Sequence, residues 1–97
     1  MQLILKNPLI FFDLETTGTD IANDRIVEIS YLKVYPNGTE ETKTYRVNPG
    51  RPIPAEASAV HGIYDADVAN SPLFKEVAKV IARDFEGADL AGYNSNR

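Results

Sequence analysis

The sequence has 97 residues, of which 43% are hydrophobic and 25% charged, a size and composition that predict one globular domain. It contains no cysteine and one histidine, His61, which excludes disulfides, zinc–thiolate sites and His-rich metal sites among these residues. The net charge of −4 argues against binding nucleic acid by bulk charge alone, although bound divalent metals can supply the missing positive charge.

The first half of the chain has the pattern of three strands. An apolar run at residues 9–14 predicts a buried central strand. β-Branched and aromatic residues predict a second strand over residues 25–35, and Asn37-Gly38 predicts the hairpin turn that follows it. Residues 41–47 alternate in polarity and are polar enough for a third strand at the edge of a sheet.

The second half predicts helices followed by a strand. Residues 55–60 indicate one or two helical turns, and Ser71-Pro72 indicates the start of a longer helix, because serine caps helices and proline fits their first position. The buried face of this helix is predicted from apolar residues at helical spacing: Phe74, Val77, Ile81 and Phe85. Residues 89–93 predict a fourth strand, which a right-handed crossover places parallel to the first. The result is an α/β fold with a mixed sheet of order 3-2-1-4.

Two carboxylates, Asp13 and Glu15, lie at the end of the most apolar predicted strand. Side chains two apart on a strand share a face and lie about 6.5–7 Å apart, where two anions repel each other. A hard divalent cation such as Mg²⁺ or Mn²⁺ relieves this repulsion, and two such ions can stabilise both oxygens in phosphodiester cleavage. Acidic residues are also common at solvated strand ends, so the pair alone leaves a non-catalytic strand end open.

Residues 12–18, Phe-Asp-Leu-Glu-Thr-Thr-Gly, resemble the first exonuclease motif of the DnaQ-like 3′–5′ exonucleases of the DEDD superfamily. This family includes the proofreading epsilon subunit of bacterial DNA polymerase III. Residues 26–29 resemble the family's second strand, residues 60–63 with 71–74 resemble its substrate-side segment, and residues 90–94 resemble the opening of its second motif. The resemblance implies a ribonuclease H-like fold and two-metal hydrolysis of the terminal phosphodiester at a 3′ end.

The resemblance also implies roles for individual residues. Asp13 and Glu15 would be the catalytic ligands of Mg²⁺ or Mn²⁺. The terminal nucleotide would be lined by residues of the first motif and of the later segments: Leu14, Thr16, Thr17, Val60, His61, Ile63 and Asn94. Taken by itself, His61 would only cap a short helix before Gly62.

The second motif breaks off after Asn94. In the family it continues to a Phe-Asp pair whose aspartate binds metal, and a third motif supplies a histidine general base and a last aspartate. We therefore expect residues 1–97 to be the N-terminal part of one exonuclease domain, without its last strand and C-terminal helices and with little or no nuclease activity alone. The exposed sheet edge that this leaves would favour a dimer or a swapped assembly.

The expected substrate is single-stranded DNA with a free 3′ end, and a DNA polymerase subunit is an expected partner. Trimming of RNA 3′ ends and a non-catalytic nucleic-acid-binding or assembly module are the alternatives, because one fold serves many functions. The intact Asp13–Glu15 pair favours the enzyme. No apolar run approaches the roughly 20 residues that a membrane span needs, and no signal peptide pattern is present, so we expect a cytoplasmic protein without membrane contact.

Overall fold

The computed structural model describes residues 5–18 and 24–95, and of residues 92–95 the backbone alone is described. Within this part of the chain the strands are β1 (Leu9–Thr16), β2 (Ile26–Val34), β3 (Glu40–Arg46) and β4 (Asp89–Ser95). The helices between β3 and β4 are α1 (Ala55–His61), α2 (Asp65–Val68) and α3 (Phe74–Phe85). None of these helices has the length and apolar character of a membrane span.

The strands form one sheet of order β3-β2-β1-β4, which confirms the predicted topology. β1 pairs antiparallel with β2 and parallel with β4, and β2 pairs antiparallel with β3. A parallel pair needs a long crossover, and the three helices provide it. The carboxyl ends of β1, β3 and β4 therefore lie at the same edge of the sheet.

The helices cover one face of this sheet. α3 packs on β1 and β2 through a cluster of buried residues: Ile10, Ile29, Tyr31, Val47, Val77 and Ile81. A second cluster joins β2 to α1 and α2: Val27, Ile53, Ala57, Ile63 and Val68. Because side chains alternate along a strand, Glu28 and Ser30 lie on the opposite face of β2.

The long helix begins at Phe74, so the start predicted at Ser71-Pro72 is wrong. The carbonyl of Pro72 accepts a hydrogen bond from the Asn48 N–H at 2.9 Å, and Asn48 and Leu73 form a parallel β-bridge. This contact holds Leu73 extended, with ψ 155°, and delays the first helical turn. Glu76 Oε1 then accepts the Leu73 N–H at 3.2 Å.

Two further details differ from the sequence-based expectations. Phe74 is 44% exposed and does not join Val77 and Ile81 in the core, because it is the first residue of α3 and precedes the part that packs on the sheet. The four-residue α2 was not predicted, since a single turn is too short to show helical periodicity. It begins where Asp67 Oδ2 accepts the Tyr64 N–H at 2.8 Å.

Asp84 fixes the C-terminal end of α3 to the sheet. Its carboxylate accepts hydrogen bonds from the Tyr31 hydroxyl on β2 and from Lys43 Nζ on β3, the latter at 2.8 Å. The buried Lys33 donates to the Asp84 backbone carbonyl at 2.7 Å. These bonds tie the last helical turn to two neighbouring strands.

The same contacts shift the pKa values of Asp84 and Tyr31. Hydrogen bonds from Lys43 and Tyr31 lower the pKa of Asp84, and burial together with the Asp84 carboxylate raises the pKa of Tyr31. Because the folded-state pKa of Asp84 is lowered, its stabilising effect is present above the ordinary aspartate pKa of about 3.9. The effect is lost as the pH falls through the lowered value.

Removing the Tyr31 hydroxyl should lower the free energy of unfolding by about 1 kcal/mol, because Asp84 loses a buried donor while the aromatic ring stays in place. Denaturant titration of Tyr31→Phe measures this change. Tyr35→Phe is the matched control, since its hydroxyl contacts the exposed Glu41 at 3.3 Å and should matter little. Equal losses in the two variants would contradict a special role for the Asp84 contact.

Candidate active site

Asp13 and Glu15 lie on the face of β1 that is turned away from α3. Phe12 and Leu14 alternate with them and pack against the helix-side core, so the carboxylates take the other face. Both acidic residues are partly buried, and Glu15 Oε1 is inaccessible to solvent. The structure therefore brings the two predicted metal ligands together on one face at the carboxyl end of the central strand.

A row of charged residues runs from Glu15 across the neighbouring strands. Glu15 lies opposite Glu28 on β2, and Glu28 lies opposite Arg46 on β3. Arg46 Nε donates to Glu28 Oε2 at 3.0 Å, which offsets one of two adjacent negative charges. The sequence placed Glu28 on the second strand but not beside the site, because strand register is needed to see that these residues are neighbours.

The turn after β1 is held from inside by Thr17, which is 2% exposed. Its hydroxyl donates to Asp24 Oδ1 at 2.7 Å and accepts the Arg25 N–H at 2.9 Å. A Cβ on Gly18 would lie 2.5 Å from Asp24 Oδ2, so glycine leaves room for this carboxylate. Thr16 closes the turn by donating its hydroxyl to the Gly18 carbonyl.

α1 ends beside this turn, and His61 connects the two. The left-handed Gly62, with φ 73°, ends the helix. His61 Nδ1 accepts the Ile63 N–H at 3.1 Å, so in the neutral ring Nε2 carries the proton and donates to the Thr16 carbonyl at 3.1 Å. Both ring nitrogens are therefore engaged within the protein, and the imidazole joins the end of α1 to the end of β1.

The other residues predicted to contact substrate differ in exposure. Val60 is 58% exposed and presents its side chain to solvent beside His61. Ile63, at 2% exposure, belongs to the core, and Leu14 packs partly against the core under α3. Asn94 pairs with Asp13 in the β1–β4 register, but its side chain lies outside the described residues.

The donor chemistry of Asp13 and Glu15 fits a hard divalent cation, because Mg²⁺ and Mn²⁺ prefer carboxylate and other oxygen ligands. Among residues 5–18 and 24–95, no three His, Cys, Asp or Glu side chains are arranged to hold a metal ion. A cation held by this pair would need further oxygen donors.

Sequence comparison finds relatives among bacterial DNA polymerase III proteins. A Rhodobacter capsulatus protein named DNA polymerase III subunit epsilon-like protein is 42% identical over 94 residues, covering 93% of this chain and 13% of the relative. DNA polymerase III subunit epsilon of Treponema pallidum is 33% identical over 85 residues, covering 88% of this chain and 40% of the relative. The chain thus spans less than half the length of either relative.

Solved exonuclease structures share the fold. Exonuclease I from Methylocaldum szegediense superposes with a TM-score of 0.78 at 27% identity, over 91% of this chain and 20% of that one. Exonuclease X, solved in complex with 5′-overhanging duplex DNA, gives a TM-score of 0.64 at 26% identity, over 88% of this chain and 57% of that one. These similarities confirm the ribonuclease H-like fold predicted from the sequence.

The profile of the RNase_T exonuclease family matches residues 10–97. The match includes the Asp13–Glu15 pair, the His61 segment and β4, which are the features that the structure brings to one edge of the sheet. It agrees with the resemblance to DnaQ-like exonucleases seen in the motifs. This chain therefore belongs to the RNase_T exonuclease family.

Proposed function

We propose that the protein acts as, or within, a 3′–5′ exonuclease that hydrolyses the terminal phosphodiester of single-stranded DNA with divalent metal ions. The observation that carries this proposal is the Asp13–Glu15 pair on the face of β1 turned away from α3, in a chain that belongs to an exonuclease family. The DNA bound to Exonuclease X supports DNA as the substrate. The epsilon names of both relatives support the proofreading class.

In the reaction, this chain would bind the divalent metal and orient the substrate. Asp13 and Glu15 would bind divalent metal, which when bound supplies Lewis-acid stabilisation of the oxygens at the scissile phosphate. Burial of Phe12 and Leu14 beneath α3 fixes the direction of both carboxylates. Arg46, by pairing with Glu28, limits the negative charge that the phosphate meets beside Glu15.

The terminal nucleotide would lie against the turn of residues 16–18 and the end of α1. His61 would act as a positioning residue there, because its bond to the Thr16 carbonyl sets the distance between the two segments. Val60 is the exposed apolar side chain next to it and would contact the sugar or base. Thr17 would shape this surface from beneath through its contact with Asp24.

A partner follows from the same relatives. We infer that the protein works alongside a DNA polymerase III, because both relatives carry that name. The self-association expected from the sequence stays a prediction.

Manganese should bind at the carboxylate pair. Adding Mn²⁺ to the ¹⁵N-labelled chain should broaden the amide signals of β1 around Asp13 and Glu15 first, because the paramagnetic ion acts over short distances. Asp13→Asn combined with Glu15→Gln should weaken Mn²⁺ binding about tenfold or more. Glu40→Gln with Glu41→Gln removes the same charge from the far end of β3 and should leave the affinity unchanged. Broadening centred elsewhere would contradict the assignment.

Hydrolysis should proceed from the 3′ end. With the chain in excess over 5′-labelled single-stranded DNA and Mn²⁺ present, we expect slow release of single nucleotides, because two carboxylates hold metal weakly. An oligonucleotide ending in an inverted 3′ nucleotide should resist, and Asp13→Asn should be at least about tenfold slower. Internal cuts, trimming from the 5′ end or unchanged trimming by Asp13→Asn would refute the proposal. Faster trimming of matched RNA would assign RNA as the substrate.

His61 should be the Nε2-protonated tautomer in its neutral form. A long-range ¹H–¹⁵N spectrum tests this without ambiguity, since the chain has one histidine. His61→Ala should shift the amide signals of Thr17 and Ile63 and cost about 1 kcal/mol of unfolding free energy. Val60→Ala, a change at the exposed neighbour, should do neither, and an Nδ1-protonated ring would contradict the positioning role.

A further inference from the structure

A groove opens on the helix side of the turn that follows β1, and no predicted site residue lines it. Its volume is about 560 Å³. In the described part of the chain, three segments form its walls: residues 24–26 at the start of β2, residues 47–51 after β3, and residues 73–75 at the start of α3. Only the first of these segments also touches the candidate active site.

Asn48 makes the groove a preformed feature. Its N–H donates to the Pro72 carbonyl at 2.9 Å, and its side-chain Oδ1 accepts the Gly50 N–H at 2.8 Å. The β-bridge between Asn48 and Leu73 joins the loop after β3 to the start of α3. Val47, which is fully buried, anchors the loop in the core. The walls are therefore joined to one another by hydrogen bonds and a β-bridge within the chain.

The charge of the groove is opposite to that of the chain. Among the described residues that line it, Arg25, Arg51 and Lys75 are exposed, and Asp24 is the one carboxylate. The whole chain carries −4. Asp24 also accepts a hydrogen bond from Thr17, so its charge is partly taken up by the turn. A polyanion is the ligand class that such a local surplus of cations attracts.

The groove also carries an aromatic surface. Phe74 is 44% exposed and Leu73 40% exposed at the entrance to α3, although both are large apolar residues. An exposed aromatic ring beside cationic side chains is the combination that binds single-stranded nucleic acid, by stacking bases and neutralising phosphates. Phe74 does not pack in the core, so its ring is available to contact a ligand in the groove.

The groove is continuous with the turn against which the terminal nucleotide is proposed to lie. Thr17 N–H donates to the Arg25 carbonyl at 2.8 Å, and the Thr17 hydroxyl contacts both Asp24 and the Arg25 N–H. Thr17, two residues after Glu15, therefore contacts two residues that line the groove. A strand whose last nucleotide lies at Asp13 and Glu15 would reach the groove by passing Thr17 and Arg25.

We propose that the groove is a second substrate subsite, which binds nucleotides on the 5′ side of the terminal one. Phe74 stacks a base, and Arg25, Arg51 and Lys75 contact phosphates. This inference rests on the proposed function, because it takes the same single strand as its ligand. The groove, which lies outside the metal site, would then set how long a strand must be to bind well and would favour single strands over duplexes.

The test is titration of the ¹⁵N-labelled chain with an eight-nucleotide oligothymidylate in the absence of divalent metal, so that nothing is hydrolysed. We expect amide shifts at residues 47–51 and 73–75. Thymidine monophosphate, which offers one base and one phosphate, should produce much smaller shifts there at the same concentration. Fluorescence anisotropy then gives the affinity of each variant.

Phe74→Ala should weaken oligonucleotide binding about tenfold, the loss expected for one stacked base. Lys75→Ala should reduce the slope of log K against log salt by about 0.7, the value for one phosphate contact on a single strand. Val80→Ala and Lys79→Ala are the matched controls, since they lie on α3 but outside the groove, and Val80 is 42% exposed. Neither should change binding.

Failure of this inference is distinct from failure of the proposed function. With Asp13→Asn the oligonucleotide should still shift the groove amides, because Asp13 lies on the other face of the sheet, whatever its effect on the overall affinity. Shifts confined to β1 and the His61 segment would overturn the subsite and leave the exonuclease standing. Unchanged oligonucleotide affinity in both Phe74→Ala and Lys75→Ala would also overturn it. Groove shifts with a glutamate-rich peptide but not with the oligonucleotide would overturn it in favour of a protein partner.

Discussion

The alternation of side chains along β1 is the constraint on which the candidate site depends. Phe12 and Leu14 must face α3 and the core, and this leaves Asp13 and Glu15 on the opposite face. A slip of one residue would bury two carboxylates and expose two large apolar side chains, which is costly on both counts. Pairing with β2 on one side and β4 on the other holds the register. The packing of Phe12 and Leu14 in the core thus determines the direction in which Asp13 and Glu15 point.

Much of this arrangement follows from local pattern. Strand order comes from the sequence of elements and the handedness of crossovers, and the shared face of Asp13 and Glu15 comes from their spacing. What the sequence could not supply are contacts between distant segments. The start of α3 at Phe74 depends on Asn48, and the engagement of His61 depends on the nearness of Thr16. No local signal in the sequence reports either contact.

The same limit applies to charge. Composition gives one net value for the chain, but the sheet sorts the charges by face and by edge. Glu28 becomes a neighbour of Glu15 only through register, and Arg46 becomes its counter-ion only through the next strand. On the helix side of the turn, Arg25 and Lys75 come together from segments that are far apart in the chain. An acidic protein can therefore present a cationic groove next to a carboxylate pair.

The bond between Thr17 and Asp24 has a thermodynamic consequence. Thr17 belongs to the turn that follows the carboxylate strand, while Asp24 lines the groove, so one small segment forms part of both surfaces. A ligand that strengthens or weakens the Thr17–Asp24 hydrogen bond at one surface changes what the other surface offers. Linkage then requires reciprocity: if metal at the carboxylates alters the affinity for a strand in the groove, the strand alters the affinity for metal by the same factor.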